Sequence, residues 1–239
     1  VLIKEIVKQE FDLLISSSFS RGRNFYGFTS GSTGSPMKYC LDNAKKKRRM
    51  AEMIYFNGWA GFYLGQRHVL NSIGSRKSKF SRLLQNQIII DPSKVNKVFL
   101  NEFRNILINR KIKFYVAYPS VLDEIADFCL NKGDESSHFC LEGIIATGEP
   151  LSAHTRKLAE SVFGCEVLSR YSALEFGVLA QQCPEAHTFH LNTLNYYFEV
   201  LKMDNNMPAD EGEVGRLIIT DLNNLAMPFI RYETGDLAV

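Results

Sequence analysis

Residues 28–38 read Phe-Thr-Ser-Gly-Ser-Thr-Gly-Ser-Pro-Met-Lys. The core Thr29-Ser30-Gly31-Ser32-Thr33-Gly34 packs four hydroxyls and two glycines into six positions. Glycine lets a backbone approach a ligand closely and turn its N–H groups inward. The hydroxyls add neutral donors, and Lys38 adds a mobile positive charge suited to phosphate. In chemical terms this is a phosphate cradle. It is not a Walker A loop, because no Lys-Ser/Thr pair follows the second glycine. A flexible Ser/Gly linker has a similar composition. The flanks argue against one: Phe25, Tyr26 and Phe28 precede the segment, and a helical stretch capped by Asp42 follows it.

Three further groups could act on a nucleotide. Thr147-Gly148-Glu149-Pro150-Leu151-Ser152 stands between an apolar run and a helical one. Ligand crevices in open α/β sheets lie at such junctions, and a tight turn with Ser152 as helix cap explains the same residues. Tyr171-Ser172-Ala173-Leu174-Glu175 offers an aromatic face that can stack on a base and a carboxylate that can hold Mg²⁺. A Tyr and a Glu four apart are also a common surface pair. In Tyr232-Glu233-Thr234-Gly235-Asp236, an Asp after a Gly turn can accept ribose hydroxyls or simply belong to a β-turn. Cys183, His187 and His190 are close enough to raise a metal site, but Cys-x₃-His-x₂-His is not a standard zinc spacing and lacks a nearby fourth ligand. Cys165, between Gly164 and Glu166, reads as a buried inert thiol.

These residues need elements to position them. Asp42 caps a helix whose apolar side carries Met50, Ile54 and Phe56, with the run Lys45–Arg49 on a solvated face. Gln87–Ile90 reads as a short strand, followed by a helix with Val95, Val98, Phe99, Phe103, Ile106 and Leu107 along one side. Strands are expected over 113–117, 141–146 and 166–169. Helices are expected from Tyr118-Pro119-Ser120 to about Gly133 and from Ser152 to Phe163. The alternation predicts an α/β fold, a mostly parallel sheet flanked by helices. Beyond Val178 the helical periodicity stops, and strands over 196–202 and 213–220 predict a smaller β-rich subdomain. The expected division is therefore 1–177, a central α/β nucleotide-binding portion, and 178–239, the β-rich subdomain.

Composition narrows the class. The 239 residues are 45% hydrophobic and 23% charged, with formal charge +2, the profile of a globular protein. Near-neutral charge gives no reason to expect nucleic acid as a partner. No apolar run approaches a membrane span, and the N-terminus lacks signal-peptide architecture. Five scattered cysteines fit reduced thiols and a cytoplasmic location. The absence of an initiator Met suggests a start inside a longer protein.

Taken in order, the four motifs resemble those of the adenylate-forming enzymes, the superfamily of acyl-CoA ligases and adenylation domains. The segments YSALEFGVLAQ, FHLN and AMPFIRYETGD are most similar to the phenylacetate–CoA ligase-like branch, including capsular polysaccharide biosynthesis proteins. Gly212-Glu213-Val214-Gly215 matches the turn that precedes the family's Y-x-T-G-D motif. The resemblance implies that the chain is part of the large N-terminal domain of such an enzyme.

The same resemblance implies two half-reactions, formation of an acyl-adenylate from ATP and a small carboxylic acid, then transfer to a thiol such as coenzyme A. Thr29, Ser30, Gly31, Ser32, Thr33, Gly34 and Lys38 would hold phosphates, and Glu175 would hold Mg²⁺. Gly148, Glu149, Pro150 and Tyr171 would hold the adenine of ATP or AMP, and Asp236 the ribose. Arg231 would pair with a phosphate or brace its turn. Ser172 and Leu174 stand where the family usually has Gly and Thr. That departure motivates one alternative, a catalytically inactive nucleotide-binding relative in a polysaccharide-assembly complex. Another is an acyltransferase charging a carrier protein or a sugar. The family's small C-terminal lid domain, which supplies a catalytic Lys, is absent from the sequence, so the chain alone is expected to be poorly active.

Overall fold

The structure, a computed structural model, describes residues 1–19, 24–29, 36–73 and 78–239. In chain order, α1 (Lys4–Gln9) is followed by β1 (Phe25–Phe28), β2 (Lys38–Leu41), α2 (Asn43–Trp59) and β3 (His68–Asn71). Then come α3 (Lys79–Leu84), β4 (Gln87–Ile90), α4 (Lys97–Asn109), β5 (Phe114–Ala117), α5 (Pro119–Asn131), β6 (Gly143–Thr147), α6 (Ala153–Phe163) and β7 (Val167–Ala173). The remainder is all strand: β8 (Gly177–Gln182), β9 (Phe189–Leu191), β10 (Tyr196–Leu201), β11 (Gly215–Asp221) and β12 (Tyr232–Ala238).

A seven-stranded sheet has the order β4-β3-β5-β6-β7-β8-β9. Strands β4 to β7 pair in parallel, with helices as the crossovers that parallel pairing requires. β5 is buried at all four positions, which is why it reads as an unbroken apolar run. The expected mostly parallel sheet flanked by helices is therefore present. β10-β11-β12 form a separate antiparallel sheet, and β1 and β2 form a two-stranded ribbon.

The chain divides into two compact units. One comprises Val1–Glu52, Ala173–Leu179 and Leu191–Val239; the other comprises Met53–Ser172 and Ala180–His190. The second unit is held by an apolar cluster in which Phe103, Tyr115, Ile125, Ile144 and Phe163 are essentially inaccessible to water. In the first, Phe176, Tyr196, Phe229 and Tyr232 pack ring against ring at 5.0–5.8 Å.

Two expectations about helix faces are corrected. In α2, Met50 and Ile54 are exposed, and only Phe56 of the expected apolar side is buried. The charge run is not wholly solvated, because Lys45 is 1% exposed. Its burial is decided by an ionic partner rather than by helical periodicity, as described below. In α4 the buried side is Leu100, Phe103 and Leu107. Val98 faces solvent there, and Val95 lies before the helix begins.

Candidate functional site

In the first unit β1 and β2 pair in antiparallel register, Phe28 opposite Lys38. Thr29 extends the pairing: its N–H donates to the Met37 carbonyl at 2.9 Å, and its hydroxyl accepts the Met37 N–H at 2.9 Å. The ribbon thus anchors both ends of the proposed phosphate segment. Ser30, Gly31, Ser32, Thr33 and Gly34 themselves lie outside the described residues. The Lys38 ammonium stands 4.4 Å from the Phe11 ring centroid and 5.1 Å from that of Tyr26. Cation–π attraction to two rings limits where the charge can swing.

Glu175 occupies the turn between β7 and β8 and is 9% exposed. Burial pushes its carboxyl above the ordinary range, and the Asp236 carboxylate adds to the rise; Lys4 and Arg49 oppose it. Asp236 on β12 is thus among the charges that act on Glu175. Oxygen donors of this kind suit a hard cation such as Mg²⁺, which needs only one or two protein carboxylates when phosphates complete its shell.

Asp236 is exposed within β12. Thr234 shapes the approach to it, because its hydroxyl donates to the Leu217 carbonyl at 3.3 Å and accepts the Asp236 N–H at 3.1 Å. Tyr232, the first residue of this motif, is core: its ring joins the aromatic cluster and its hydroxyl donates to Met37 Sδ at 3.6 Å. Arg231 forms a two-pronged ion pair with Glu199, both contacts 3.1 Å. Its own N–H donates to the Thr220 hydroxyl at 2.9 Å.

In the second unit, β6 ends at Thr147 and the chain turns through Gly148, whose φ is +88°. A Cβ added there would lie 3.0 Å from the Tyr118 ring, so both the φ and the space favour glycine. The Glu149 carboxylate accepts the Ser120 N–H at 2.9 Å and the Ser120 hydroxyl at 3.0 Å, capping the start of α5. Ser152 caps α6 by accepting the Thr155 N–H at 3.0 Å. Glu149, Pro150 and Ser152 line a groove of about 440 Å³ with Pro119, Ser120, Asp123, Glu124 and Thr155. Tyr171 is half-buried and lies within β7 rather than past its end. Next to it, the Ser172 hydroxyl meets that of Thr147 at 3.1 Å, tying the ends of β6 and β7 together.

The Cys183, His187 and His190 grouping forms no metal cluster; among the described residues no three such ligands converge. His187 bonds Glu166 at 3.1 Å, and the His190 ring packs edge-on against Trp59 at 5.4 Å. Burial and nearby Glu160 and Glu166 push the Cys165 thiol up to about 12, so it stays protonated and unreactive.

Sequence reading missed two buried polar clusters. In the first unit, Lys45 pairs with Asp221 at 2.8 Å and donates to the Tyr196 hydroxyl at 2.9 Å. In the second, Arg170 is 4% exposed and bonds Gln181 and Asn57. The available signal for Arg170 was a charge inside an otherwise apolar strand run.

No protein-family model matches the chain. Among curated relatives, phenylacetate-coenzyme A ligase of Thermus thermophilus is 30% identical over 122 residues, which is 50% of this chain and 27% of the ligase. Protein CapK of Staphylococcus aureus is 24% identical over 98% of this chain and 52% of its own length. The chain thus spans about half of CapK and about a quarter of the ligase. Among solved structures, 2-hydroxyisobutyryl-CoA ligase in complex with 2-HIB-AMP and CoA overlays with TM-score 0.79, 15% identity, and coverage of 100% of this chain and 58% of that one. ATP-bound MatB from Rhodopseudomonas palustris gives 0.65 at 13% identity, covering 89% and 44%. The fold is thus shared with these solved ligase structures, and the sequence is similar to phenylacetate-coenzyme A ligase and to CapK.

Proposed function

We propose that the protein to which this chain belongs activates a carboxylic acid with ATP and passes the acyl group to coenzyme A. The observation that carries the reading is Glu175, a buried carboxyl in the turn leaving β7 whose ionisation responds to Asp236 on β12. Two motif residues far apart in sequence are thereby brought into one electrostatic environment. In the first half-reaction a carboxylate oxygen attacks the α-phosphorus of ATP, the bond to the β-phosphate oxygen breaks, and pyrophosphate leaves. In the second, a thiol attacks the acyl carbon and AMP leaves. The protein's work is placement and charge compensation.

Lys38, steadied by Phe11 and Tyr26, would compensate phosphate charge, with Thr29 and the segment it anchors supplying donors. Tyr171 would stack on adenine beside the Gly148–Pro150 turn, and Asp236 would accept ribose hydroxyls. Glu175 would hold Mg²⁺, which supplies charge neutralisation on the phosphates when bound. Arg231, committed to Glu199, is assigned to bracing the turn into β12. A setting in capsule or other polysaccharide assembly follows from the sequence resemblance and is part of the same proposal.

The test is ATP–pyrophosphate exchange by the full-length protein with a panel of carboxylic acids, repeated with Glu175→Gln. Acid-dependent exchange that drops by at least a hundredfold in the variant is expected, since a lost transition-state charge contact costs about 2.7–4 kcal/mol. Full exchange by Glu175→Gln would remove the assignment.

A further inference from the structure

Arg170 lies in β7 directly before Tyr171 and opposite Thr147, the residue at which β6 runs into the Gly148 turn. This is the carboxyl end of the parallel strands, the edge at which open α/β sheets bind ligands. Its Nε donates to Gln181 Oε1 at 2.7 Å and its Nη2 to Asn57 Oδ1 at 2.5 Å; Nη1 has the Met53 sulfur at 3.5 Å. All three acceptors are uncharged, and among the described residues no carboxylate pairs with this guanidinium. Burial brings its pKa down to about 9, which leaves it charged at neutral pH.

Arginine is seldom fully buried unless paired. Here the holders are themselves built in: Gln181 is inaccessible to water and donates to the Phe56 carbonyl at 2.6 Å. The guanidinium has five N–H donors, and the contacts engage three, the weakest of them a thioether. Met53, which covers Nη1, is 37% exposed and has an unbranched, flexible side chain, so it is the softest of the three contacts.

We propose that Arg170 receives a second carboxylate on the substrate, so that the protein activates one end of a dicarboxylic acid while Nη1 of Arg170 binds the other. This rests on the acid-activation reading and adds the substrate class to it. A planar carboxylate supplies both the missing counter-charge and acceptors for the unmatched donors.

The experiment compares matched acids on the full-length protein, glutarate against pentanoate and phthalate against benzoate, by isothermal titration without ATP and by ATP–pyrophosphate exchange. Each diacid is expected to be favoured about tenfold to a hundredfold, the worth of a charge-assisted hydrogen bond in a dry site. Monomethyl glutarate should fall to the level of pentanoate, and Arg170→Met should erase the diacid preference. Equal binding of diacid and monoacid, or a preference that survives Arg170→Met, overturns the proposal. Should Arg170→Met not fold, the monomethyl ester and Arg170→Lys decide: loss of the preference with the ester and its partial retention in the lysine variant support the receptor, and any other pattern overturns it. Absence of exchange with every acid rejects the adenylation reading alone, because the titrations judge Arg170 without it.

Discussion

The Lys45 ammonium lies 2.8 Å from the Asp221 carboxylate, and both side chains are fully shielded from water. Burial lowers the lysine's pKa, and Asp221 holds it up. Removing one member of such a pair strands the other, so Lys45→Met is expected to cost about 3–5 kcal/mol of unfolding free energy. Lys45→Met combined with Asp221→Asn should recover part of that, because no net charge remains buried. Urea midpoints of the two variants check this; equal losses would show that the pair acts through packing instead.

Glu52 is 7% exposed, and among the described residues neither carboxylate oxygen has a hydrogen-bond donor. Burial raises its pKa, against the pull of Lys45. A carboxyl whose folded pKa is raised costs stability above that pKa, and the cost is relieved as pH falls through it. Glu52→Gln is therefore expected to match or exceed the wild type at pH 8, with the advantage shrinking toward pH 5. Parallel stability curves for the two proteins across that range would contradict the assignment.

Asp134 accepts both arms of the Arg104 guanidinium, and this pulls its carboxyl below the usual range. Here the sign is opposite: the stabilisation is present above the unfolded carboxylate pKa and is lost as pH falls through the depressed folded value. Arg104→Ala is expected to lower stability at pH 7 by about 1–3 kcal/mol and to flatten the acid limb of the unfolding curve. An unchanged acid limb would mean that Arg104 and Asp134 do not couple in solution.

Gly148→Ala places a Cβ 3.0 Å from the Tyr118 ring at φ +88°. A strained residue of this kind costs about 1–3 kcal/mol. If the turn borders the nucleotide, the variant should also raise the KM for ATP in pyrophosphate exchange. Glu149→Ala instead removes a helix cap and should cost about 1 kcal/mol. Lost stability with KM unmoved would assign Gly148 to the fold alone.

The central strands were legible because both their faces are covered: Phe114–Ala117 and Gly143–Thr147 present nearly continuous apolar runs. β3 escaped notice, since His68 and Asn71 at its ends disguise Val69 and Leu70. The inward side of α2 was misread for a related reason. Lys45 and Asn57 are buried there by polar partners, Asp221 and Arg170, that lie far along the chain and leave no periodic trace. The site motifs were readable by residue type, but the nearness of Glu175 and Asp236 came only with the fold. Arg170 lay just beyond the strand expected over 166–169, and nothing local shows that Gln181 and Asn57 enclose it.

The Tyr196 hydroxyl accepts a hydrogen bond from the Lys45 ammonium at 2.9 Å and donates its own to the Phe176 carbonyl at 2.7 Å. Phe176 follows Glu175 in the chain, and Gly177 beyond it has no room for a side chain beside Glu52, Arg49 and Tyr196. The relay thus acts as a mechanical linkage. A charge pair rooted in α2 and β11 pins the peptide next to the carboxylate assigned to the metal, so a drift in the pair would register as misaimed chemistry before it registered as unfolding.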